Sequence, residues 1–172
     1  MPARALVIQL VVALAVVAGS PSPGSARPAP TISVDAELLT VHATRHRVLD
    51  RRGRSTTDPL LGRQPALAKP PFSAYKGYRV LRRGAAILAT GMAWKTRLPN
   101  HRDLMIALAR VIVPKKRTEP TRFVITASLA TAGSTGFRQV LEAEVGPGDI
   151  VFVPADAYRG GLVVVGIKLA AH

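Results

Sequence analysis

The most regular alternation in the chain lies at residues 137–145 (FRQVLEAEV). Phe137, Gln139, Leu141, Ala143 and Val145 fall on one side, and Arg138, Val140, Glu142 and Glu144 on the other. A period of two marks a strand with one buried face. Residues 122–128 (RFVITAS) read as a second strand, and residues 162–169 (LVVVGIKL) as a closing one on which Val163, Val165, Ile167 and Leu169 share a face. Residues 103–113 (DLMIALARVIV) are long enough for a helix, but the β-branched end and the flanking turns favour a buried strand. Residues 32–43 (ISVDAELLTVHA) read as a strand, with a short helix as the competing assignment.

Residues 75–83 form a basic strand, and residues 85–95 a further one with Gly91 as its bulge. Residues 149–153 make a short strand, followed by a loop over residues 154–160. Turn chemistry separates these runs: Leu98-Pro99-Asn100, the charged loop 114–120, the small-residue stretch 130–136, and Gly146-Pro147-Gly148. Residues 65–69 allow one helical turn before Pro70-Pro71 stops it. Short strands with turn signals about every 8–12 residues predict an all-β fold, an antiparallel β-sandwich or open barrel of about seven to eight strands. The closing strand is apolar on both faces except at Lys168. Since one face of a sandwich strand is normally wet, it must be central, or covered.

The first 26 residues have a different pattern. Arg4 is followed by an apolar run at residues 5–18, broken by Gln9, and then by a Pro/Gly/Ser-rich stretch. This is the layout of a secretory signal peptide, and Gly24-Ser25-Ala26 puts small residues where signal peptidase needs them, so cleavage is expected after Ala26. The apolar run falls short of the roughly 20 residues of a spanning helix, so no transmembrane span is expected in the mature chain. Zero cysteines exclude disulfides, thiolate metal sites and a bacterial lipid anchor. The expected organisation is a signal peptide at 1–26, a Pro-rich leader at 27–31, and a single β domain at 32–172 with a basic loop at 44–64. The expected location is periplasmic or secreted.

Charge adds a partner class. The chain holds 24 Lys+Arg against 10 Asp+Glu, a net charge of +14, and losing Arg4 with the leader makes it +13. A surface this basic attracts polyanions, so the expected partner is a polyanion, an anionic membrane surface or an envelope protein. The competing origin is a GC-rich genome, which yields the same Ala-, Arg- and Val-rich composition. Two runs are candidate anion sites: Arg51, Arg52 and Arg54 in the basic loop, and Lys115, Lys116 and Arg117 in the charged loop.

Other chemistries find less. His42 and His46 are spaced H-x3-H, but no Glu follows the first histidine, and Arg45 and Arg47 would repel a dication. Gly133-Ser134-Thr135-Gly136 lacks the spacing of a nucleophile elbow, and His101 with Asp103 has no third group nearby in sequence. Glu142 and Glu144 read as a solvated pair on one strand face. The segment 72–83 (FSAYKGYRVLRR) interleaves Tyr75 and Tyr78 with Lys76, Arg79, Arg82 and Arg83, as single-strand nucleic-acid binders do. Positions 75 and 78 would face opposite sides of a strand, which argues against specific nucleic-acid binding. No cofactor motif is present: no glycine pair opens a helix after a strand.

Several short segments together carry a family likeness. They are His42-Ala43, Asp58-Pro59-Leu60-Leu61, Pro71-Phe72-Ser73-Ala74-Tyr75, Leu98-Pro99-Asn100, and Gly160-Gly161 leading into Val164 and Ile167. In this order the chain resembles a set of small exported β-rich proteins of myxobacterial-type bacteria. It departs from their frame at Asn100-His101-Arg102, where an Asn-Gly-Arg is expected. The resemblance implies a β-rich envelope or secreted domain and carries no activity.

The leading expectation is an exported, non-enzymatic β-sandwich acting as a cell-envelope or secreted binding or accessory module. Two alternatives stand beside it. One is a secreted hydrolase whose site is assembled from sequence-distant residues. The other is a subunit of an envelope assembly that buries its C-terminal strand against a partner.

Overall fold

The computed structural model describes residues 31–47, 49, 51–53, 57–116, 118–133 and 135–170. The predicted signal peptide, its cleavage site at Ala26, and the leader up to Pro30 lie outside these residues, as do Arg54 and Arg117. Eight strands are present: β1 (Ser33–Thr44), β2 (Gly77–Ala89), β3 (Ala93–Arg97), β4 (Asp103–Ile112), β5 (Arg122–Ala130), β6 (Phe137–Val145), β7 (Ile150–Tyr158) and β8 (Gly161–Leu169). They form two four-stranded sheets in the orders β2-β1-β8-β7 and β3-β4-β5-β6. Every pairing between named strands is antiparallel. The fold is a β-sandwich and not a closed barrel.

The chain runs up and down, and the two sheets part at two seams, β2 beside β3 and β6 beside β7. The alternation of strands then sorts the connections. The β1–β2, β3–β4, β5–β6 and β7–β8 connections lie at one end, called here the hairpin end. The β2–β3, β4–β5 and β6–β7 connections lie at the other, the corner end.

Alternating apolar residues fill the space between the sheets. Leu38, Leu88, Leu104, Ile106, Leu108, Ile125, Ile167 and Leu169 are buried there, with Trp94 packed against them. β8 lies between β1 and β7, and its second face is also covered. Leu162 and Val164 meet Leu61, Leu67, Phe72 and Tyr78 in a second cluster on the outer side of this sheet. The cover is the β1–β2 connection. It forms a single helical turn at Pro59–Gly62, started by Pro59 and capped by the Asp58 carboxylate on the Leu60 N–H, and then a 3₁₀ turn at Pro65–Ala68. The apolar double face of the last strand is therefore satisfied within the chain. The predicted basic loop over 44–64 is in part a strap: Thr44 ends β1, and Leu61 is buried beneath the strap.

Three sequence expectations change. The strands drawn at 75–83 and 85–95 are one strand, β2, followed by the short β3, and Gly91 (φ +78°) turns the corner between them instead of bulging within a strand. The predicted loop 154–160 shrinks to a two-residue hairpin. β7 continues to Tyr158, Asp156 and its neighbour are taken up by a bulge between Pro154 and Ala157, and Arg159 and Gly160 turn with positive φ (45° and 75°). In β6 a bulge skips Val140, so Gln139 pairs Ser128 and Leu141 pairs Ala127. Val140 then joins Leu141 and Ala143 against the core, although strict alternation puts it on the solvent side.

Candidate functional site

The two predicted basic clusters lie on different connections. Arg51 and Arg52 belong to the long β1–β2 connection, whereas Lys115 and Lys116 follow β4 at the corner end. All four are exposed. The structure gives no shared anion site to these side chains; Arg54 and Arg117 belong to the undescribed residues.

The histidines are also dispersed. His42 points between the sheets at the hairpin end. Its Nε2–H donates to the Tyr158 carbonyl at 3.0 Å, and its ring meets the Tyr158 ring edge-on at 5.2 Å. Gly161 allows this approach, because a Cβ there would lie 2.8 Å from His42 Nε2 and would run into the Ala43 carbonyl oxygen. His42 therefore pins the β7–β8 hairpin to β1. His46 and His101 are exposed, His101 on the β3–β4 turn with φ 60°. Asp103 pairs with Lys95 at 2.9 Å. Among the described residues no group of three or more His, Asp or Glu side chains is arranged to hold a metal.

The β3–β4 turn has a structural task of its own. Asn100 Nδ2 donates to the Ala155 carbonyl at 3.0 Å, and Arg102 reaches Asp156 at 2.9 Å. The turn thus clasps the β7 bulge and ties one sheet to the other at the hairpin end. Leu98 is buried beneath it.

In the aromatic-basic segment, neither tyrosine is a stacking platform. Tyr78 is buried in the outer cluster, and Tyr75 is half-buried against the same cluster. The Tyr78 hydroxyl donates to the Phe72 carbonyl at 2.9 Å, with the Leu67 carbonyl at 3.3 Å. Burial raises the Tyr78 phenol above its ordinary pKa, and the neighbouring Tyr75 adds to this. The cations of the segment divide between the two faces of β2. Arg83 lies on the outer face and bonds Glu37 at 3.1 Å and Asp58 at 3.3 Å.

Arg79 and Arg82 lie on the other face. They pair across β1 with His42 and Thr40, residues of the inward side, because a bulge between Thr40 and Val41 resets the register. Both are nonetheless exposed, because the β2–β3 seam is open beside them. There a small cleft of about 60 Å³ reaches in from the seam. Its walls include Arg82, Gly84, Trp94 and Thr96, and its floor is Leu38 and Val165. No ion-pair partner for Arg79 or Arg82 occurs among the described residues. A larger cleft of about 580 Å³ lies on the outer face between the strap and the β6–β7 corner. Its charges have both signs, Glu37, Glu144 and Asp149 against Arg83 and Lys168, and Arg83 is already held by two carboxylates.

The seam is thus the site with unspent chemistry: two cations, one indole and an apolar floor. Sequence reasoning named Arg79 and Arg82 but not their neighbours Trp94 and Thr96. The available signal was Gly84 and the two arginines interrupting an apolar strand, which marks an edge.

No protein-family model matches the chain, and neither a curated protein nor a solved structure matches it.

Proposed function

We propose that the chain is an exported, non-catalytic binding or accessory module of the cell envelope or the medium, with an anionic partner. The observation that carries this reading is the pair Arg79 and Arg82, exposed beside an open seam with no carboxylate partner among the described residues, in a chain of net charge +14. Unpaired cations beside an apolar cleft bind a ligand that is negative and partly apolar better than they bind water alone. An acidic envelope protein fits that description. A polyanion or an anionic membrane surface would use the charge without the cleft. Export is supported by the pattern of Arg4, the apolar run and Gly24-Ser25-Ala26.

Two measurements test the reading. Fractionation of the expressing cell, with mass determination of the mature N-terminus, should place the protein outside the cytoplasm and start it at Arg27. A cytoplasmic protein with an intact N-terminus would contradict export. Binding to polyaspartate or to anionic vesicles should weaken steeply between about 0.1 and 1 M salt, as the Debye length falls from about 10 to about 3 Å. Absence of binding at low salt would contradict the anionic partner.

A further inference from the structure

We infer that the β2–β3 seam accepts an extended acidic segment of another protein, which adds to the free edge of β2 as an extra strand. The inference rests on the anionic-partner reading and names its surface and its mode.

Four observations lead to it. First, β2 is an edge. It ladders with β1 along its whole length, and no ladder joins it to β3. The one bridge near this seam, Thr90 to Leu108, lies beyond the end of β2. At Tyr78 the strap already closes this edge, since the Asp58 N–H donates to the Tyr78 carbonyl and the Tyr78 N–H to Thr57 Oγ1; from Leu81 onward the edge is left for another strand. Second, Leu81 to Ala85 are exposed in unbroken succession, on both faces of the strand, with the Arg83 side chain turned to Glu37 and Asp58 on the outer face. A Cβ at Gly84 would meet nothing within 4 Å, so there is also room beside the backbone. Third, half-buried Trp94 stands at the seam with Arg82 and Gly84, above the buried Leu38 and Val165, so a strand laid on this edge would cover its indole.

The fourth observation selects the occupant. Arg79 and Arg82 lie on the inward side of the same edge, and both are exposed. A second copy of β2 would bring arginine against arginine, a common way for edge strands to resist self-pairing. A strand that alternates acidic and apolar residues would instead place carboxylates near Arg79 and Arg82, while its backbone pairs with the edge. Charge complementarity therefore points to an acidic protein segment and away from a second copy.

Trp94 is the one tryptophan in the chain and lines the cleft, so its emission reports occupancy directly. The probe is a synthetic peptide of alternating Glu and Val, about six residues long, the commonest strand length. The control is the same peptide with Lys for Glu. The Glu peptide should shift Trp94 emission to shorter wavelength, and it should slow amide exchange at Leu81–Ala85. The Lys peptide should do neither. Arg79→Glu/Arg82→Glu should weaken the Glu peptide at least tenfold, while Arg82→Lys retains most of the binding. Both arginines are exposed, so the variants should keep the wild-type circular dichroism. Binding of polyaspartate or vesicles without protection of Leu81–Ala85 would overturn strand addition and leave the anionic-partner reading standing. Failure of every anionic probe at low salt would overturn both.

Discussion

Tyr78 shows how much one residue can hold. Its ring fills the outer cluster, and its hydroxyl donates to the Phe72 carbonyl and lies within reach of that of Leu67. Tyr78→Phe should lower stability by about 1–2 kcal/mol, because buried carbonyls lose their donor, as urea unfolding at neutral pH would show. The same residue sets a pH dependence. Its folded pKa is raised, so the neutral phenol is favoured in the folded state. Its contribution is whole below the unfolded value of about 10 and is lost as pH rises through the folded one. Stability should therefore fall more steeply in alkali for the wild type than for Tyr78→Phe. Equal slopes would remove Tyr78 as the cause. Gly161 is the other position with no slack. Gly161→Ala should destabilise by about 1–3 kcal/mol through overpacking against the Ala43 carbonyl and His42, and an unchanged urea midpoint would contradict that close approach.

At the scale of the element, the strap decides whether the β1–β8 sheet keeps one wet face or none. Phe72 meets Phe152 edge-on at 6.3 Å and is 5% exposed. Phe72→Ala should cost about 3–5 kcal/mol and increase binding of a hydrophobic dye, since Val164 and Leu162 lose their cover. A midpoint change under about 1 kcal/mol would mean the strap is dispensable.

The strands with alternating burial, such as β4 and β5, and the unbroken apolar run of β8 were legible from residue order alone. The misread elements share a physical reason. Arg82, Arg83 and Gly84 look like a break by composition, yet an edge strand tolerates them because solvent satisfies its free side. Leu61, Leu67 and Phe72 are spaced by prolines and bends at no single period, so a strap that covers a sheet looks like loop. Val140 and Asp156 fall at bulges, where one extra residue reverses the faces downstream.

Across the whole molecule, excess positive charge is spread rather than gathered. Arg51 and Arg52 sit on the β1–β2 connection and Lys115 and Lys116 on the β4–β5 connection, with three strands between them along the chain. The site that remains has Arg79 and Arg82 on one sheet and Trp94, which lines a cleft with Arg82, on the other. That juxtaposition depends on how the two sheets stack, and no local pattern encodes it. Its central requirement is a seam that is open in the free protein. Amide hydrogen exchange of the free chain, compared strand by strand, measures this most directly. Strong protection is expected along β1 and β8, and fast exchange at those amides of Leu81–Ala85 that face away from β1. Protection of every amide in Leu81–Ala85 to the level of β8 would mean that the seam is closed and that no strand can add there.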